Sequence, residues 1–319
     1  MPDAPPRPPD VPARRPLRRL LRHSIALFAA CFAASLWAGT IDVWMSHESP
    51  LQQAFIDALT PALADAGHEI GTVVTGGATV APASNSARVV VALGMNAALS
   101  ALRQTDAAVL ATLLSRRDAE RVLSEFGTQR VAAVVLDQPV ERRLQLLEQL
   151  MPGVESVVVL LGRGTESHRG EIEDAIRKAG LTPRIAVISE PSEIVGKLEA
   201  LLDSQSALLT VPDPAVYNRD TVMGILLTTY RHRRPVIGFT AAYVRAGAVA
   251  AVYSEPQDIA IQVMQLLTTG GSLADFPRGI LAPSRFRVAI NDRVSRSLGL
   301  PVVSELEALQ GLRSAEALK

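Results

Sequence analysis

From residue 41 onward, short runs of β-branched and aliphatic residues alternate with stretches whose apolar positions return every three or four residues. This alternation predicts parallel sheets covered by helices, because a strand can be followed by a parallel neighbour only through a crossover of helical length. Strands are expected at 41–45, 69–75, 88–93, 107–114 and 131–136. Between the first two, Ser49 and Pro50 open a helix carrying Leu51, Ala54, Phe55, Ala58, Leu59 and Leu63 at helical spacing, with a kink expected at Pro61 and an end at Gly67. Gly76, Gly77 and the small residues to Ser86 read as a loop, and Gly94 leads into a helix at 97–102.

After Asp137-Gln138-Pro139 the alternation begins again. A helix at 140–151 stops at Pro152-Gly153. A strand at 157–161, a helix at 166–179, a strand at 184–188 and a helix at 192–202 follow. Residues 207–253 then form a βαβ unit: an aliphatic run into Pro212-Asp213-Pro214, a helix ending near His232, and a second apolar run over 235–253. A helix at 257–267, a Gly270-Gly271 loop, a strand at 285–290 and a helical piece at 291–298 complete the pattern. It implies two similar sheets of about five strands, with a crossing near Asp137 and a return near Thr240. The fold class is therefore α/β, as two Rossmann-like lobes with parallel sheets and an interlobe cleft. One lobe is expected from 40–137 plus 241–280, the other from 138–240 plus 281–319. With no long polar linker, the hinge falls to a few strand-end residues.

Composition sharpens this picture at the N-terminus. The chain has 319 residues, 48% of them hydrophobic, and a formal net charge of zero, enough to bury the cores of two lobes. Neutrality and 4% aromatic content argue against a nucleic-acid partner, which asks for a basic face and stacking rings. Yet residues 1–23 hold six arginines against Asp3 and Asp10, and an uncharged run follows over 24–39. That run is shorter than the roughly 18 residues a spanning helix needs. Basic lead, short apolar core and small residues near Ala38 and Gly39 read as a secretory signal peptide over 1–39, cleaved between Ser35 and Thr40, with a retained anchor as the other possibility. The single cysteine, Cys31, lies inside it, so the exported part would contain no disulfide.

Three segments carry a resemblance: Pro235-Val236-Ile237-Gly238-Phe239-Thr240, the run 246–254, and the run 287–301 from Arg287 to Pro301. In this order, with the helix, Pro-Gly turn and strand of 147–161 and the Gly94-Met95-Asn96 turn, they are similar to the ABC-transporter substrate-binding family with the type I periplasmic-binding-protein fold. The resemblance covers nearly the whole chain after the signal segment. It departs from the family at Asp137-Gln138-Pro139, where a glycine-rich loop is usual, and at Pro214, where an asparagine is usual. What it implies is a protein that holds a small molecule, amino-acid-like in some members, and delivers it to a membrane permease.

Ligand contacts in such a fold come from the C-terminal ends of strands. The first lobe offers Ser46, His47 and Glu48, then Gly94 and Asn96, then Ser115 and Arg116; the crossing adds Asp137 and Gln138; the second lobe adds Arg163, Asp213, Tyr217, Thr240 and Tyr243. Asp213 could cap a helix beginning at Pro214, hold a ligand ammonium, or do both. Gln138 is the better cap for the helix after Pro139, which leaves Asp137 for the cleft. Arg116 and Arg163 suit a carboxylate or phosphate, or are solvated loop residues. Tyr217 and Tyr243 could stack on a ring or pack the lobe interior. Gly162-Arg163-Gly164 opening a helix is nearly a dinucleotide fingerprint but lacks its third glycine, and His47-Glu48 has no partner at metal spacing. The expectation is an exported, monomeric solute-binding protein, not an enzyme, with no cofactor or metal, whose partners are a small ligand and a permease. The rival expectation is a sensing module that presents its ligand state to a membrane receptor or signalling partner.

Overall fold

The computed structural model describes residues 40–76, 89–269 and 274–317. The expected signal segment, most of the 76–86 loop and the Gly270-Gly271 loop lie outside the described residues. The first lobe begins with β1 (Thr40–Met45), α1 (Pro50–Asp65), β2 (Glu69–Thr75), β3 (Val89–Leu93), α2 (Met95–Gln104), β4 (Ala108–Leu114), α3 (Arg116–Phe126) and β5 (Val131–Val135). The second contains α4 (Val140–Leu150), β6 (Ser156–Gly162), α5 (Arg169–Lys178), β7 (Thr182–Ile188), α6 (Ile194–Leu201), β8 (Ser206–Leu209), α7 (Val222–Arg231), β9 (Val236–Gly238), α8 (Ala241–Ala246) and β10 (Ala250–Tyr253). The chain ends with α9 (Pro256–Thr269), β11 (Gly279–Leu281), β12 (Arg287–Ile290), α10 (Asp292–Ser297) and α11 (Glu305–Ala317).

Two six-stranded sheets result, ordered β11-β5-β4-β3-β1-β2 and β12-β10-β9-β8-β6-β7. Each starts with the same winding, a first strand flanked by its second and third, and each is closed by a late strand. β11 joins β5 in parallel, whereas β12 joins β10 antiparallel. The β3, β5, β6 and β8 strands are buried along their whole length, as strands covered by helices on both faces must be.

Several expectations are corrected. Both sheets have six strands; the one missed in the first is β11, a three-residue strand with no alternation to reveal it. Residues 235–253 are not one run: Thr240 caps α8, its side chain accepting from the Tyr243 N–H, and this short helix separates β9 from β10. Since β10 pairs with β9 and β12, the return to the first lobe falls at Ser254-Glu255, not at Thr240. There α9 packs Ile259, Ala260, Val263 and Leu267 into the same core as Phe55, Leu59 and Leu63 of α1. Helix α7 begins at Val222, because the segment after Pro214 coils through turns held by Asn218 and Thr221. Helix α3 was not expected; of its residues Ala119 and Val122 alone are buried, too short an apolar stripe to stand out.

The chain passes between lobes three times, after β5, after β10 and between β11 and β12. Side chains of the first passage tie all three together. The Gln138 amide donates to Ser254 Oγ (2.9 Å), which donates to the Arg285 carbonyl (2.5 Å). Arg142 donates to Gln138 Oε1 (2.5 Å) and to the Pro283 carbonyl (3.0 Å), pairs with Glu316 (2.5 Å), and lies 3.9 Å over the Phe286 ring. Substituting Arg142→Met keeps the apolar stem but strands these acceptors, so urea denaturation should show a loss of about 2–4 kcal/mol; a loss under about 1 kcal/mol would mean that this clasp does not hold the passages.

Candidate functional site

The strand ends of the two lobes face one another across a cavity of about 350 Å³. The first lobe contributes Arg116 and Arg117 from the start of α3, Val135 at the end of β5 and Asp137 just beyond it; the second contributes Arg143 of α4, Leu161 of β6, Thr165 and His168 from the turn into α5, Glu171 from its first turn, and Val211-Pro212 after β8. The cavity is large enough for a metabolite-sized solute.

Local geometry explains how these side chains arrive. Leu113 has φ 54°, at the point where the register between β4 and β5 slips. A left-handed leucine is costly, by about 1–2 kcal/mol. The bulge turns the end of β4 so that Ser115 caps α3, accepting from the Asp118 N–H (3.1 Å). The Arg116 backbone N–H then donates to Asp137 Oδ2 at 2.8 Å, tying the start of α3 to the first passage. Across the gap, the Arg116 guanidinium grips Glu171 through two bonds of 2.6 and 2.7 Å, and His168 Nε2 lies 2.7 Å from Glu120. The Arg117 guanidinium covers Gly164, where a Cβ would meet its Cζ at 2.5 Å. The first turn of α3 is thus a latch against the turn entering α5.

Charges in the cavity are mixed: Arg116, Arg117 and Arg143 against Asp137, Glu141 and Glu171, with His168 beside them. Burial pushes the Asp137 carboxyl up, opposed by the Arg116 N–H and by the charges of Arg143, His168 and Arg116. The Arg116 fork holds the Glu171 carboxyl below the usual glutamate range. Burial lowers Arg143 to about 10, so it remains a cation at neutral pH.

Of the residues expected from sequence, Arg116, Asp137 and Gln138 line the cavity, with Ser115 capping beside them. Both polar ends of the Gln138 amide are engaged in the clasp that joins the three passages. Asp213 is placed elsewhere: it is 1% exposed, with Oδ2 accepting from the Gly162 N–H (2.8 Å) and Thr165 Oγ1 (2.5 Å) and Oδ1 from the Ala215 N–H (2.9 Å). It fastens the end of β6 to the loop after β8, and Gly162 must be glycine because a Cβ would meet Asp213 Oδ2 at 2.6 Å. Tyr217 and Tyr243 pack with Phe239 inside the second lobe, and burial pushes the Tyr243 hydroxyl up to about 12. Arg163 is exposed and reaches Ser189 Oγ at 3.3 Å, while Thr240 caps α8. Ser46, His47 and Gly94 follow the ends of β1 and β3, and Asn96 lies in the first turn of α2, all outside the cavity lining.

Sequence reasoning missed Arg117, Arg143, Thr165, His168 and Glu171. Arg143 was the findable one, since it shares the buried face of α4 with Leu146, Leu147 and Leu150. Among the described residues there is no cluster of three metal-ligating side chains, and no helix long and apolar enough to cross a membrane.

No protein-family model matches the chain, and no curated protein sequence matches it. Solved structures do. The ligand-free, open form of a substrate-binding protein with adhesive properties from Clostridium difficile aligns with TM-score 0.67 at 17% identity, over 85% of this chain and 98% of that one. A conserved domain protein from Vibrio cholerae aligns with TM-score 0.57 at 17% identity, over 86% and 98%. An ABC domain from Streptococcus pneumonia in complex with L-Trp aligns with TM-score 0.56 at 17% identity, again over 86% and 98%. The chain therefore has the type I periplasmic-binding-protein fold, the architecture of substrate-binding proteins of ABC transporters, in a divergent form.

Two outcomes are expected. Asp213→Ala removes three buried hydrogen bonds to a carboxylate and should cost about 3 kcal/mol or more in chemical denaturation. The second concerns the latch. Glu171 has a depressed carboxyl, so its contribution is complete above the usual glutamate range and disappears as pH falls through the lower folded value. Both partners are well exposed, so Arg116→Ala should shift the lobes toward opening by at most about 1 kcal/mol. Fluorescence transfer between probes on the two lobes should show opening on acidification in the wild type and a flattened response in R116A.

Proposed function

We propose that this chain is the exported solute-binding component of an ABC transporter, capturing a small molecule between its lobes by hinge closure. The observation that carries this reading is the cavity walled by strand ends of both lobes, with the clasped passages behind it and the α3 latch in front. A solute that touches both walls binds the closed form better than the open one, and that difference alone shifts the population. The latch is weak enough to be overridden, whereas the clasp fixes where the lobes pivot. No bond-making chemistry is required. The basic lead and short apolar run at the N-terminus support export, and the closed lobes, working as a monomer, would be what a permease reads.

Calorimetric titration against a panel of small metabolites, followed by X-ray scattering of the saturated protein, tests the reading. A micromolar or tighter solute that compacts the protein is expected. Saturation by a solute that leaves the scattering profile unchanged would rule out capture by closure.

A further inference from the structure

Helix α4 places two arginines side by side behind the cavity, and the protein answers the charge of one of them. Arg142 has Glu316, the Gln138 amide oxygen, the Pro283 carbonyl and the Phe286 ring. Arg143 has far less. It is 2% exposed, donates to the Thr210 carbonyl, and has an Nε with no partner; among the described residues it forms no ion pair. The buried Tyr217 hydroxyl acts on it, as does Asp137 from beyond ion-pair distance, its Oδ2 already held by the Arg116 N–H; neither is a counter-ion in contact with the guanidinium. A guanidinium taken out of water without a counter-ion is unfavourable, and yet Arg143 lines the cavity where a solute would enter.

Resting on the capture reading above, we infer that Arg143 is the anchor of an oxyanion subsite at the back of the cleft, taken by the acidic group of the solute. The planar guanidinium suits a carboxylate, and phosphate shares the same chemistry. No hydrogen bond among the described residues reaches Asp137 Oδ1, which leaves it to accept from a donor on the same solute. The subsite therefore selects a small organic acid that also carries a hydrogen-bond donor. The exposed arginines at the mouth, Arg116 and Arg117, hold the lobes together and do not take this role.

The test is thermal unfolding of the whole protein in a weakly coordinating buffer with millimolar acetate, inorganic phosphate or acetamide, in wild type and in Arg143→Met. Acetate or phosphate should raise the wild-type midpoint, the larger of the two shifts telling carboxylate from phosphate, and acetamide should not. R143M should lose the anion response, and without anion its midpoint should fall less than that of Arg142→Met, because removing an unpaired buried charge offsets the cost of stranding the Thr210 carbonyl. A residue that served folding alone would behave oppositely. Equal shifts with acetamide, no shift with either anion, or a full anion response in R143M would overturn the inference. Should R143M not fold, the wild-type contrast and Arg143→Lys, expected to keep a weaker response, decide it. A neutral metabolite that compacts wild type and R143M equally would remove the subsite and leave capture by closure intact; absence of compaction with every solute would remove the capture reading itself.

Discussion

The arrangement of the two lobes depends on one small polar knot. Gln138 and Arg142, one helical turn apart, reach Ser254, Pro283 and Phe286, and so hold the second and third passages of the chain against the first. Buried polar networks of this kind are stable only when each member is satisfied, and here the amide and the guanidinium answer each other. Because the three passages converge here, any rotation of one lobe against the other would have to pivot about this point. The cavity begins next to it, at Asp137 and Arg143, so a small rotation becomes a large change in separation at the mouth.

Electrostatic strength is graded along the same line. At the mouth, Arg116, Glu171 and Glu120 meet water, and an exposed pairing such as Arg116–Glu171 contributes little and can be exchanged. At the back, Asp137 and Arg143 are shielded, and each is perturbed by loss of solvent. Interactions formed at the back are therefore stronger than those at the front. On the capture reading, a solute would gain its orientation from the interior, while the latch would adjust the balance of open and closed forms.

The architecture was readable from sequence because buried parallel strands are continuous aliphatic runs, and Pro139 before an amphipathic stretch marks the passage into the second lobe. What escaped has local causes. Helix α3 shows an apolar stripe too narrow to register, α8 is hidden inside an apolar run, and β11 is too short to alternate. Strand-end reasoning reached Arg116, Asp137 and Gln138, since the ends of β4 and β5 open directly on the cavity. It could not reach His168 or Glu171, which belong to the turn and first residues of α5 and meet the first lobe through tertiary approach alone. Asp213 shows the opposite error: a polar residue at a strand end, suited to a ligand, that instead bonds Gly162 and Thr165 from across the sheet edge. Pattern predicts which residues lie at an edge, but which acceptor each donor finds is decided in three dimensions.

The first lobe begins the described chain but is finished almost last, since α9 shelters α1 and β11 forms the outer strand beside β5. During synthesis, residues 40–135 therefore emerge as a sheet with an apolar helix face bare and one border unpaired, and more than a hundred further residues must follow before either gap is filled. A chain built this way resists premature compaction of its leading half, and its two halves mature together when the C-terminal segments arrive.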